Sequence, residues 1–232
     1  MRHIGKSLVI ASALLAAGSA NAEIDMFPFL GVDYTQTYMR ARNNWNLIYP
    51  NQYPGASFYV GTRFHENFGV ELGYDWSARR SRDFSLANGS KFFGGTITSP
   101  NGLVGKAKIR RTGGYLDVLG AIPVAECTEL FGTVGFGWVQ TQIFSSFSSE
   151  VAGATPTSSA ITSVSGKGRG VFRVGVGGIF MVTDVVGVRA KINWASTSTL
   201  RLKGNTAFNN LGYDTKGFKG STTLLAGLFV RF

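Results

Sequence analysis

The chain has 232 residues, with 23 lysines and arginines against 13 aspartates and glutamates, 31 glycines, two histidines and one cysteine. A single cysteine excludes an internal disulfide framework, and one cysteine with two histidines excludes a Cys/His zinc constellation. A formal net charge of +10 is compatible with nucleic acid, anionic lipid or no specific partner, so the placement of the charges must decide.

The first 22 residues carry Arg2 and Lys6, an apolar run from Leu8 to Gly18 and the small-x-small ending Ala20-Asn21-Ala22. This pattern predicts a secretory signal peptide over 1–22, cut before Glu23, with 23–232 as the mature chain. No later run of about 18 apolar residues could cross a bilayer as a helix.

From there the chain alternates with a period of two, the signature of strands with one apolar face. "FLGVDYTQTY" sets Leu30, Val32, Tyr34 and Tyr38 against Gly31, Asp33, Thr35 and Thr37. "ASFYVGTRF" sets Phe58, Val60 and Phe64 against Tyr59, Gly61 and Arg63, and "FGVELGYDWS" sets Phe68, Val70, Leu72, Tyr74 and Trp76 against Gly69, Glu71, Gly73 and Asp75. "GYLDVLGAI" is less regular, with Leu116, Val118 and Ile122 opposite Tyr115 and Asp117. The pattern returns in "LFGTVGFGWVQ", "VFRVGVGGIF", "VVGVRAKINW" and the terminal "TLLAGLFVRF", which makes eight strands.

In a soluble sandwich the polar face would be solvent surface. Here that face holds glycines and single charges of both signs, which suits a confined interior, so the apolar face is predicted to meet lipid. The links agree: "HEN", "PVAEC" and "MVTD" are short, and the links between them are several times longer. Alternating short and long links around an even strand number is the pattern of a transmembrane barrel. The predicted fold is an all-β, closed, antiparallel, up-and-down barrel of eight strands with short periplasmic turns and long extracellular loops.

Trp76, Trp138 and Trp194 each stand eight residues after the first outward residue of their strand, Phe68, Leu130 and Val186. Eight residues at about 3.3 Å each, tilted about 40°, climb roughly 20 Å, close to the apolar band of about 25 Å. The three tryptophans therefore form one predicted girdle, with Phe64, Phe68, Phe180 and Phe232 at the opposite rim.

With its signal peptide, eight strands and terminal "GLFVRF", the mature chain resembles bacterial outer-membrane barrels of the OmpA-type and opacity-protein group. The resemblance implies an integral protein of the Gram-negative outer membrane. It also implies a C-terminal assembly signal at Gly227, Val230 and Phe232, read by the barrel-assembly machinery, with Leu225 departing from the polar residue usual there. Barrels of this group serve as anchors, adhesins, narrow pores and enzymes, so it says little of function.

The topology sorts the charges. Arg79, Arg80, Arg82, Lys106, Lys108, Arg110 and Arg111 belong to a basic cluster at the extracellular side, suited to lipopolysaccharide phosphate or to plain solvation. Asp33, Arg63, Glu71, Asp75, Asp117, Arg173, Arg189, Lys191 and Arg231 are predicted to form a polar network in the lumen. An eight-stranded lumen is just wide enough for side chains to fill, which favours a closed plug. The inward glycines leave a thin water or ion path as the alternative.

A catalytic role finds little support in the residues. Beyond the signal peptide the sole histidine is His65, beside the short link "HEN", which reads as an exposed turn residue far from the outer leaflet. No catalytic residue, metal site or cofactor is predicted, nor any nucleic-acid partner, and the expected state is a monomer. Cys127 reads as a small packed residue near a turn. "TSPNGLVGK" predicts a hairpin of "GGTI" against "LVGKAKIRR", and the Ser/Thr-rich "FSSFSSEVAGATPTSSAITSVSGKG" reads as a mobile loop. The favoured function is a non-enzymatic surface barrel binding lipopolysaccharide or external ligands, with a narrow channel as the alternative.

Overall fold

The computed structural model describes residues 26–41, 48–92, 95–96, 100–149, 157–165, 169–196 and 218–232. The segment predicted as a signal peptide, 1–22, lies outside the described residues. No helix among the described residues is long and apolar enough to cross a membrane; the long elements are strands.

The strands are β1 (Phe27–Ala41), β2 (Gln52–His65), β3 (Phe68–Ser77), β4 (Arg80–Leu86), β5 (Lys91–Phe92), β6 (Gly95–Thr96), β7 (Leu103–Ala125), β8 (Thr128–Ser149), β9 (Thr157–Ser165), β10 (Arg169–Met181), β11 (Val186–Ala195) and β12 (Phe218–Arg231). Eight of them close a ring, in the order β1-β2-β3-β7-β8-β10-β11-β12, every pair antiparallel. The seam is the pairing of the first strand with the last, Phe29 opposite Arg231 through to Ala41 opposite Phe218. Closure leaves the ring no free edge, as a lipid-embedded backbone requires.

The side chains follow the alternation. On β11 every even-numbered residue from Val186 to Trp194 is exposed and every odd-numbered one buried. Leu116, Val118 and Ile122 point outward on β7 while Tyr115, Asp117, Leu119 and Ala121 are buried. The hydrophobic surface is thus on the outside, and the interior is the lumen.

Short turns at one end of the barrel are tightly bonded. Asn67 donates from Nδ2 to the carbonyl of Ala121 at 2.8 Å and accepts the Ala121 N–H at 2.7 Å, clamping the β2–β3 turn to β7. Thr183 Oγ1 accepts the N–H of Val186 at 2.9 Å and so closes the β10–β11 turn.

At the opposite, loop end, β7 and β8 run 23 and 22 residues and rise beyond the ring. Two expectations change there. Leu103–Ile109 pairs with Arg80–Leu86 of β4, and the "GGTI" segment instead contributes the two-residue β6, which pairs with β5. Gly102 adopts a φ of 74° where the chain turns into β7, against the carbonyl of Leu86, a conformation glycine takes without strain. The Ser/Thr-rich segment is not simply a loop. It extends β8 to Ser149 and returns as β9, with Gln142 opposite Ser165 and Ser149 opposite Thr157, because threonine and valine at alternate places favour a paired strand.

Candidate functional site

The lumen is filled in layers. Nearest the turn end, Phe29, Leu119, Phe131, Ile179, Met181 and Phe229 pack with Tyr59 and Tyr115 into one buried cluster. The rings of Phe29 and Phe229 lie 5.4 Å apart.

These side chains occupy the space that inward glycines leave open. A Cβ on Gly31 would run into the ring of Tyr59, and one on Gly73 into the ring of Tyr115. Small residues on one strand thus admit aromatic rings from its neighbours.

Beside this cluster lies a chain of buried ion pairs. Arg189 bonds Glu71 through both terminal nitrogens and lies 3.1 Å from Asp33 Oδ2. Lys191 Nζ stands 3.1 Å from Asp117 Oδ2 and 3.7 Å from Glu71 Oε1. Arg173 donates to Asp75 Oδ2 at 2.7 Å and approaches Asp117 at 3.5 Å. The guanidinium of Arg189 lies 3.7 Å over the Tyr59 ring, and that of Arg173 lies 3.7 Å over Tyr115. Tyr115 Oη donates to Glu71 Oε1 at 3.0 Å. Each charge removed from water therefore has opposite charge, hydrogen bonds or a π-face against it, as burial demands.

Two residues expected in this network are elsewhere. Arg63 pairs with Glu129 at 2.5 Å near the turn end. Arg231 lies 3.8 Å from the same carboxylate, with its side chain 42% exposed, and donates through Nε to the carbonyl of Asp184. Both are one strand-end too low to reach Glu71. Glu129 lies just before the apolar alternation that begins at Leu130, and its inward parity with Phe131 is the sequence signal that places it in the lumen.

The basic residues of the loop end are divided by the pleat. Lys106, Lys108 and Arg110 lie on the face of β7 that also carries Leu116 and Val118, whereas Arg111 points the other way. Arg110 lies with its guanidinium carbon 5.6 Å from the centre of the Trp76 ring, and Trp76 pairs with Thr112. Lys106 lies 3.5 Å from Asp83. Arg80 and Arg82 are exposed and pair with Ile109 and Ala107, on the other face of the β4–β7 ribbon, and Arg79 is exposed between β3 and β4. Arg111 does not belong with the outer group: its guanidinium turns inward and donates to Ser221 Oγ of β12 at 2.6 Å.

Trp76, Trp138 and Trp194 are exposed, as are Phe64, Phe68, Phe180 and Phe232 at the other end. Gly227 sits opposite Asp33 on β1, Val230 opposite Leu30, and the N–H of Phe232 donates to the carbonyl of Pro28 at 3.0 Å. His65 is exposed and accepts the Asn67 N–H at its Nδ1. Cys127, expected to be packed, is an exposed free thiol in the turn between β7 and β8, because that turn holds only Glu126 and Cys127, with no neighbouring layer to cover them.

A closed β-ring with an apolar exterior, aromatic residues at both ends and a polar, charge-paired interior defines a transmembrane β-barrel. Residues 7–232 match the outer membrane protein beta-barrel domain family, and the chain belongs to it. Among solved structures, the barrel is similar to Ail, the attachment invasion locus protein of Yersinia pestis, with a TM-score of 0.50 at 13% identity over 89% of this chain and 98% of that one. It is also similar to OprG of Pseudomonas aeruginosa, with a TM-score of 0.48 at 10% identity over 89% and 95% of the two chains. Neisserial surface protein A aligns over 89% of this chain and 97% of its own, with a TM-score of 0.42 at 12% identity. No curated protein sequence matches the chain.

Proposed function

We propose that this barrel is a non-enzymatic, non-conducting surface protein that holds lipopolysaccharide phosphate on the stripe Lys106, Lys108 and Arg110 and presents its loops to external ligands. In this reading the chain is exported by its signal peptide, inserted by the barrel-assembly machinery through Gly227, Val230 and Phe232, and works as a monomer. The turn end with Glu126 and Cys127 faces the periplasm.

The observation that carries the reading is the position of Arg110. Its guanidinium lies on the outward face, against a girdle tryptophan, 5.6 Å from the ring centre of Trp76. Indole girdles mark the headgroup level of a bilayer, so a cation there is at phosphate height. Lys108 and Lys106 continue the same face outward over about 13 Å of strand, matching a layer of phosphorylated sugars more than a single lipid headgroup. The exposed His65, by contrast, sits at the far end.

The test is binding of the purified, refolded protein to lipopolysaccharide-containing vesicles. Replacing Lys106, Lys108 and Arg110 together by glutamine is expected to weaken association, and added salt should narrow the difference between variant and wild type. Unchanged binding would reduce the stripe to solvated surface. Planar-bilayer recording separates the plugged barrel from the narrow channel. No stable conductance is expected, and reproducible channels whose ion selectivity shifts on Arg189→Glu or Lys191→Glu would replace this reading with transport.

A further inference from the structure

On the loop side of the ion-pair chain the lumen holds a small polar chamber of about 30 Å³, bordered by Thr35, Asp75, Arg111, Arg173, Ser221 and Thr223 among others. A space of this order takes one or two water-sized particles. Its carboxylate is already engaged: Asp75 accepts Arg173 Nη1 on one oxygen at 2.7 Å and Ser57 Oγ on the other at 2.8 Å.

Arg111 is the cation left over. Its guanidinium donates to Ser221 Oγ and forms no ion pair with a carboxylate of the described residues. Ser77 holds the backbone of Arg111 from both sides, accepting its N–H at 2.8 Å and donating to its carbonyl at 2.9 Å, so the side chain is anchored over the chamber. Ser221, having accepted the Arg111 N–H, still has its own O–H to donate. Thr35 is 4% exposed, and its hydroxyl makes no hydrogen bond among the described residues. The chamber thus presents two guanidiniums and the hydroxyls of Ser221 and Thr35 against one carboxylate, each of whose oxygens already accepts a hydrogen bond.

We propose that the chamber is a binding site for a small monovalent inorganic anion of chloride size, held by Arg111 with the hydroxyls of Ser221 and Thr35. A cation would face the guanidiniums of Arg111 and Arg173, and the small chamber suits a monatomic anion better than phosphate or sulfate. The site is independent of the lipid-facing stripe.

Bromide is the probe. Crystals of the refolded full chain soaked in bromide are expected to show an anomalous peak within hydrogen-bond distance of the Arg111 guanidinium, absent in Arg111→Gln. In solution, bromide line broadening should titrate with about tenfold weaker binding in Arg111→Gln, the scale of one lost charge-assisted contact. Thr35→Val keeps every charge and should weaken binding less, which preserves the comparison if Arg111→Gln does not fold. A wild-type chamber without anomalous density, or broadening identical in wild type and both variants, would overturn the site.

Discussion

Arg189 and Glu71 lie 118 residues apart in the chain and meet inside the lumen, where both guanidinium terminal nitrogens bond the two carboxylate oxygens. Both side chains are shut off from solvent. Removing one partner of such a pair strands the other charge in a low-dielectric interior. Arg189→Met is therefore expected to cost about 3–5 kcal/mol of unfolding free energy in lipid, measured by urea titration. The double variant Arg189→Met with Glu71→Leu should cost less than the sum of the two single variants. Strict additivity would show that the two charges are not coupled.

Gly73 offers a packing test. A side chain there meets the ring of Tyr115, whereas at Gly170 nothing lies within 4 Å. Gly73→Ala is expected to destabilise the barrel by about 1–3 kcal/mol through overpacking. Gly170→Ala should stay within about 0.5 kcal/mol. Equal effects would mean that Tyr115 moves aside freely and that the plug is loosely packed.

Phe232 closes the seam by one backbone hydrogen bond and is otherwise exposed, with 69% of its surface free. Little of the finished barrel's packing rests on its ring. Phe232→Asp should lower the amount of barrel inserted in growing cells severalfold while the purified, refolded variant unfolds within about 1 kcal/mol of wild type. Normal insertion in cells would remove the residue from the assembly signal.

Cys127 reports orientation, being the sole cysteine of the chain and exposed in the β7–β8 turn. With that turn in the periplasm, a maleimide too large to cross the outer membrane should leave intact cells unlabelled and label them after the membrane is permeabilised. Labelling of intact cells would invert the barrel.

Strand number, strand direction and the outward face were legible in the sequence, because alternation is a local property: Val186 to Trp194 sort themselves wherever β11 lies. The outward exposure of Trp76, Trp138 and Trp194 was legible for the same reason. Tertiary structure alone decided who meets whom inside. Arg63 and Arg189 are both inward arginines, yet one finds Glu129 and the other Glu71. That choice depends on the stagger accumulated around the closed ring, to which all eight strand pairings contribute. The same stagger sets Tyr115 over Gly73, and it brings Arg111 of β7 across the lumen to Ser221 of β12. Period two tells a side chain which face of the sheet it occupies, and only closure of the sheet tells it what lies opposite.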